Sequence, residues 1–175
     1  MAYKSSFRDI APICAPFYAH YLDLAGPNWS LEDFSISLQE WCEIFSKHDD
    51  SWLSFSYEPK KWTVSELALH VLDTELIFLS RAVFIARQPG AALPGFDQDV
   101  FVERSGVMQW RMHDLTQAMD SQRALTIAYF RSFEESHLRA LGTADGKPVN
   151  VAALGALIIG HMRHHAQILR SRYDI

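Results

Sequence analysis

VAALGALIIGHMRHHAQIL, residues 151–169, is the stretch from which the fold can be read. Leu154, Ile158, His161, His165 and Leu169 recur at spacings of three and four, the repeat of one helical face. The pattern predicts a helix capped by Asn150 and running to about Arg172. Its inward stripe passes from leucine and isoleucine to imidazole without a break. An imidazole on a core-facing stripe has two ring nitrogens to satisfy away from water.

Working back toward the N-terminus, Asp145-Gly146 marks a tight turn between two short segments, and Gly142 ends the segment before it. A long helix is expected over about Val107–Leu141, with Leu115, Met119, Leu125, Ala128, Tyr129 and Phe133 on its stripe. Residues 89–105 read as loop because of Pro89, Gly90, Pro94 and Gly95. Thr63 with Glu66 three positions on matches a reciprocal capping box, the sharpest helix start in the chain. From it Leu67, Val71, Phe78, Ala82 and Ile85 form a stripe lasting to about Ala86. Another helix is expected from Leu31 to Ser46, capped by Ser30, with Phe34, Leu38, Trp41, Cys42 and Phe45 inward. An aromatic-rich segment from Ser6 to Ala25 makes a short N-terminal helical extension, and strands have little room.

Four substantial helices with one apolar stripe each predict an all-α, four-helix bundle in one domain spanning residues 1–175. The connection across residues 87–106 is long for a bundle turn. It is either a crossover or part of a functional rim.

Composition narrows the function classes. Hydrophobic residues make up 49% of the 175, enough for a sizeable core, and the formal charge is -5. With no block of lysine and arginine, a nucleic-acid partner is not expected. No apolar run is long enough for a bilayer, so no membrane partner is expected either. The N-terminus lacks a signal-peptide pattern, and Cys14 and Cys42 read as reduced residues, which makes the cytoplasm the expected location.

His161 and His165, one turn apart, can converge on a point beside their helix. His164 points further round and suits a supporting role or a substrate contact. Two imidazoles make a weak site, so a third ligand must come from another helix. His70, early in the sharply capped helix and near Asp73 and Glu75, is the best candidate. Three imidazoles with an open position suit zinc, nickel or iron. The competing reading is core or interface histidines with carboxylate partners. Glu134 and His137 form one Glu-x-x-His, but di-iron bundles need two such motifs and two further glutamates. Cys42 falls on an apolar stripe and reads as core filling.

The segments KWTVSELALHVLDTE (61–75) and GHMRHHAQIL (160–169) together resemble the DinB-like (YfiT/DinB) superfamily of metal-dependent enzymes. LPGFDQD (93–99), GTADG (142–146) and YAHYLDL (18–24) extend the resemblance over most of the chain from about residue 17. It implies a four-helix bundle with a long crossover connection, often a homodimer, holding a divalent ion on His70, His161 and His165. The ion it implies is zinc or nickel, with iron also compatible. The implied activity is a metal-dependent transferase that activates a small thiol of the bacillithiol or mycothiol type against a small-molecule electrophile. Activation of water, as in a metal-dependent hydrolase, is the alternative enzyme, and a non-catalytic helical dimer associated with stress is the alternative outside enzymes. Within that frame Asp73, Glu75 and His164 are the candidate catalytic residues, the carboxylates orienting an imidazole or relaying a proton. Arg163 and Arg172 are candidates for a substrate carboxylate, and Tyr18 and Tyr21 for the cleft wall.

Overall fold

A computed structural model describes residues 10–173. Ser6 to Asp9 of the expected N-terminal segment lie outside the described residues. Seven α-helices are described: α1 (Ala19–Ala25), α2 (Leu31–Phe45), α3 (Val64–Arg87), α4 (Gln98–Glu103), α5 (Met112–Ser132), α6 (Glu135–Arg139) and α7 (Val151–Ile168). Three short strands accompany them: β1 (Ala92–Leu93), β2 (Leu141–Ala144) and β3 (Lys147–Asn150).

The long helices start where local chemistry dictates. Thr63 and Glu66 exchange hydrogen bonds at the head of α3, at 2.7 and 3.3 Å. Ser30 does the same with Asp33 at the head of α2. Asn150 Oδ1 accepts from Ala153 N–H at 2.9 Å to open α7. The same oxygen accepts from Ile13 N–H at 3.1 Å, so the cap also ties down the N-terminal segment.

Helices α2, α3, α5 and α7 form the four-helix bundle. α7 packs on α2 and α3, and α5 packs on the same two, so α7 and α5 lie on one diagonal and α2 and α3 on the other. The expected 87–106 connection therefore joins adjacent helices and belongs to a rim. The diagonal crossings fall to the α2–α3 and α5–α7 connections.

Two expectations are corrected. The helix expected over 107–141 is three pieces: a 3-10 turn at Val107–Gln109, then α5, then α6. Phe133 (ψ 128°) takes extended backbone and ends α5. Strands do form: β2 and β3 are an antiparallel hairpin, and β1 joins β2 in parallel. Asp145 and Gly146, with φ 53° and 70°, make the two-residue turn with positive φ that suits the twist of a hairpin.

The core divides in two. Phe34, Phe78, Ile85, Phe130, Leu154 and Ile158 pack at the strand end. Trp41, Phe45, Val71, Leu115, Met119 and Met162 pack at the other. Where one cluster gives way to the other lie buried Ser37, Glu75, Arg123 and Thr126. α1 lies against α7, and Gly160 permits the approach: a Cβ there would collide with the Tyr21 carbonyl. No helix among the described residues is long and apolar enough to cross a membrane.

Candidate metal centre

His70 stands about two turns into α3, and His161 and His165 stand one turn apart near the end of α7. Ile85, late in α3, lies beside Gly142, in the hairpin leading into α7, so the two helices run antiparallel. That arrangement sets the early part of α3 against the late part of α7. His70 Nε2 and His165 Nε2 each lie 3.1 Å from His161 Nε2. All three residues are buried, and one ligand atom from each lies within 4.8 Å of the others.

Burial fixes the protonation of the group. Desolvation, with the neighbouring His164 adding to it, lowers the His70 pKa from 6.5 to about 4. His161 and His165 are held well below 6.5, first by burial and then by the other imidazoles. At neutral pH all three rings are uncharged, each with one N–H and one lone pair. His161 Nε2 faces two other Nε2 atoms, and one nitrogen cannot be a good donor or acceptor to both. A cation that took all three lone pairs would satisfy the cluster. Nitrogens about 2.0–2.1 Å from one ion come close to the observed 3.1 Å separations. The residues present therefore fit a divalent ion.

The remaining imidazole, His164, is half-buried and turned aside. Its ring centroid is 4.9 Å from that of His165 and 5.2 Å from those of His20 and Tyr21. Burial, then His20, lowers its pKa. Asp73 is half-buried, its pKa raised by burial, and makes no hydrogen bond to an imidazole. Glu75 is not at the centre. Its oxygens accept from Arg123 Nε and Nη2 at 3.0 and 2.7 Å and from Thr126 Oγ1 at 2.7 Å. An oxygen held by strong donors inside the bundle is not available to orient a histidine.

A cavity of about 390 Å³ opens beside the cluster, with His70 and His161 in its wall. His165 does not line the cavity. Tyr18 and Tyr21 line the cavity, and the Tyr21 ring meets His161 edge-on at 5.4 Å. Arg163 and Arg172 do not line it. Arg163 binds Asp33 and Glu40 at 3.3 Å each, and Arg172 meets the Tyr57 hydroxyl at 3.2 Å. Thr74 and Arg81, which sequence reasoning passed over, do line it. The signal was present: His70, Thr74, Phe78 and Arg81 follow at spacings of four, four and three, one face of α3. The Glu134/His137 pair is a local device, Glu134 N–H donating to His137 Nδ1 at 3.1 Å.

The sequence pattern of the DinB superfamily matches residues 34–169, a span that includes all three histidines. Among solved structures the chain is similar to YfiT from Bacillus subtilis, described as a probable metal-dependent hydrolase with an unusual four-helix bundle topology. That match has a TM-score of 0.69 at 13% identity and covers 80% of this chain and 83% of the other. No curated protein sequence matches the chain.

Proposed function

The chain belongs to the DinB superfamily, and on that footing we propose that it is a metal-dependent hydrolase acting on a small molecule in the cavity beside its three histidines. The observation that carries the reading is the convergence of three neutral, buried Nε2 atoms from two helices, with His70 and His161 in the cavity wall. His70, His161 and His165 would hold a divalent ion, with zinc or nickel preferred and iron compatible with the same donors. Bound there, such an ion lowers the pKa of a water or a thiol and polarises a carbonyl.

The chain's own residues supply the setting. Burial keeps the three imidazoles unprotonated at neutral pH, so their lone pairs need no proton loss before binding a cation. Tyr21 packs against both His161 and His164 and limits their rotation. Phe78 and Tyr18 give the cavity apolar walls that exclude bulk water from the histidine side. His164 stays outside the ligand set.

One observation favours a second reading, in which a small thiol replaces water as the nucleophile against an electrophile. The cavity, about 390 Å³, leaves room for a nucleophile bulkier than water, and neither Cys14 nor Cys42 lines it. Any sulfur nucleophile would therefore arrive as a cosubstrate.

Elemental analysis of purified variants tests the centre. His70→Ala, His161→Ala and His165→Ala are each expected to lose stoichiometric metal, whereas His164→Ala keeps it. Unchanged metal in the first three overturns the reading. Assays of ester and amide hydrolysis, with and without added small thiols, separate the two chemistries. Turnover that requires the thiol replaces hydrolysis by transfer.

A further inference from the structure

We propose that Arg81 is a substrate anchor, and that the cavity takes small monocarboxylic acids whose carboxylate pairs with its guanidinium while the reacting group lies at His70 and His161. The inference rests on the reading of this cavity as the reaction chamber.

Arg81 is only 7% exposed, yet among the described residues no carboxylate forms a direct ion pair with it; Asp145 attracts it from a longer distance and the Tyr18 hydroxyl hydrogen-bonds it. The other inward-turned arginines are paired, Arg123 with Glu75 and Arg163 with Asp33 and Glu40. The guanidinium of Arg81 also donates from Nη2 to the Pro94 carbonyl at 2.8 Å. Its Cζ lies 5.9 Å from the Phe78 ring centroid and 5.7 Å from that of Phe96. Burying a cation without a direct ion pair is costly, and a distant carboxylate and two aromatic faces offset only part of it. A guanidinium keeps several N–H donors in a planar fork, which suits a carboxylate presented edge-on.

The rest of the cavity defines the ligand around that charge. Phe78 is 5.9 Å from the Arg81 Cζ on one side and 6.3 Å from the His161 ring on the other. A ligand reaching from the guanidinium to the histidines must therefore pass an aromatic ring, which calls for an apolar body between its two polar ends. Thr74 lies between His70 and Arg81 on α3. Its hydroxyl is buried in the cavity lining and has no hydrogen-bond partner among the described residues. It offers a polar contact midway along the ligand. In the same cavity lining Lys147 pairs with Asp145 at 3.1 Å, and Asp145 also attracts Arg81, so two cations share one carboxylate. The group keeps one net positive charge, which selects a single negative charge over a dianion.

The test compares 3-phenylpropionate with its neutral isostere 3-phenylpropionamide, by calorimetric titration or protein-observed NMR, with metal content measured on the same samples. The wild-type protein is expected to bind the acid at least tenfold more tightly than the amide. Arg81→Gln is expected to bring the ratio near one without changing metal content, and Arg81→Lys to keep part of the preference. His161→Ala is expected to keep the acid preference, which separates the anchor from any direct attraction of a carboxylate to a bound ion. Acid and amide that bind the wild-type protein alike, or not at all, overturn the anchor, and that comparison stands even if Arg81→Gln fails to fold. A preference surviving in Arg81→Gln also overturns it. Wild-type protein devoid of metal but selective for the acid overturns the metal centre and leaves the anchor standing.

Discussion

Arg123 keeps a guanidinium inside the bundle by giving its donors partners on three other helices. Nε and Nη2 bind the two oxygens of Glu75 on α3, Nη1 reaches Ser37 Oγ and the Phe34 carbonyl on α2, and Nη2 also approaches Met162 Sδ on α7. Desolvating both charges is expensive, so the fully satisfied pair need add little net stability, whereas removing one partner strands the other. Arg123→Leu is therefore expected to cost about 3–5 kcal/mol in urea unfolding, and the Glu75→Leu/Arg123→Leu double variant to recover much of the loss. A single variant as stable as the wild-type protein would count against this account. The same residues show where sequence reading runs out. An apolar pattern places Leu125 and Ala128 inward on α5, but both are exposed, and the buried series is Leu115, Met119, Arg123, Thr126 and Phe130. Arginine and threonine on a core face cannot be recognised until their partner is known. Glu75, near His70 in sequence, belongs instead to this network.

Between elements, the approach of α1 to α7 decides how His161 is covered. Gly160 lets the Tyr21 backbone touch the helix, which brings the Tyr21 ring onto His161 and His164. The obstacle to a side chain at residue 160 is backbone, which cannot swing aside as a flexible side chain would. Gly160→Ala is expected to cost about 1–3 kcal/mol by overpacking, despite alanine's better helix propensity. It should also speed hydrogen exchange in residues 19–25 more than in α3. Equal stability and unchanged exchange would show that the contact is slack. Helix starts were legible because capping is local: Ser30, Thr63 and Asn150 each bond backbone within three residues. The hairpin was half legible. Asp145-Gly146 announces the turn, but four-residue strands containing Gly142 and Pro148 carry too little alternation to be read.

At the scale of the whole molecule, the order of helices around the bundle was beyond the sequence, since one apolar stripe per helix fits several arrangements. The convergence of His70 with His161 and His165 was legible because each lies on such a stripe and each needs a buried partner. That convergence has a consequence for stability. The unfolded chain binds protons on these histidines below about pH 6.5, while native His70 resists protonation until about pH 4. Its contribution is thus fully present above pH 6.5 and lost as pH falls toward 4, an effect of about 3 kcal/mol for this one residue. His161 and His165, shifted the same way, add to the slope. A cation on the three rings would bind only the native state, stabilising it by about 2.7 kcal/mol at a hundred times its Kd, and protons would compete with it in the same window. Chelator-treated protein is therefore expected to show a urea midpoint that falls between pH 6.5 and 4. His70→Gln should flatten that dependence relative to the wild-type protein, a difference that cancels the titration of ordinary carboxylates. Added zinc or nickel should raise the wild-type midpoint at pH 7.5 and lose its effect on acidification. A midpoint indifferent to pH and metal alike would mean that the three rings are neither buried as neutral imidazoles nor gathered around a cation.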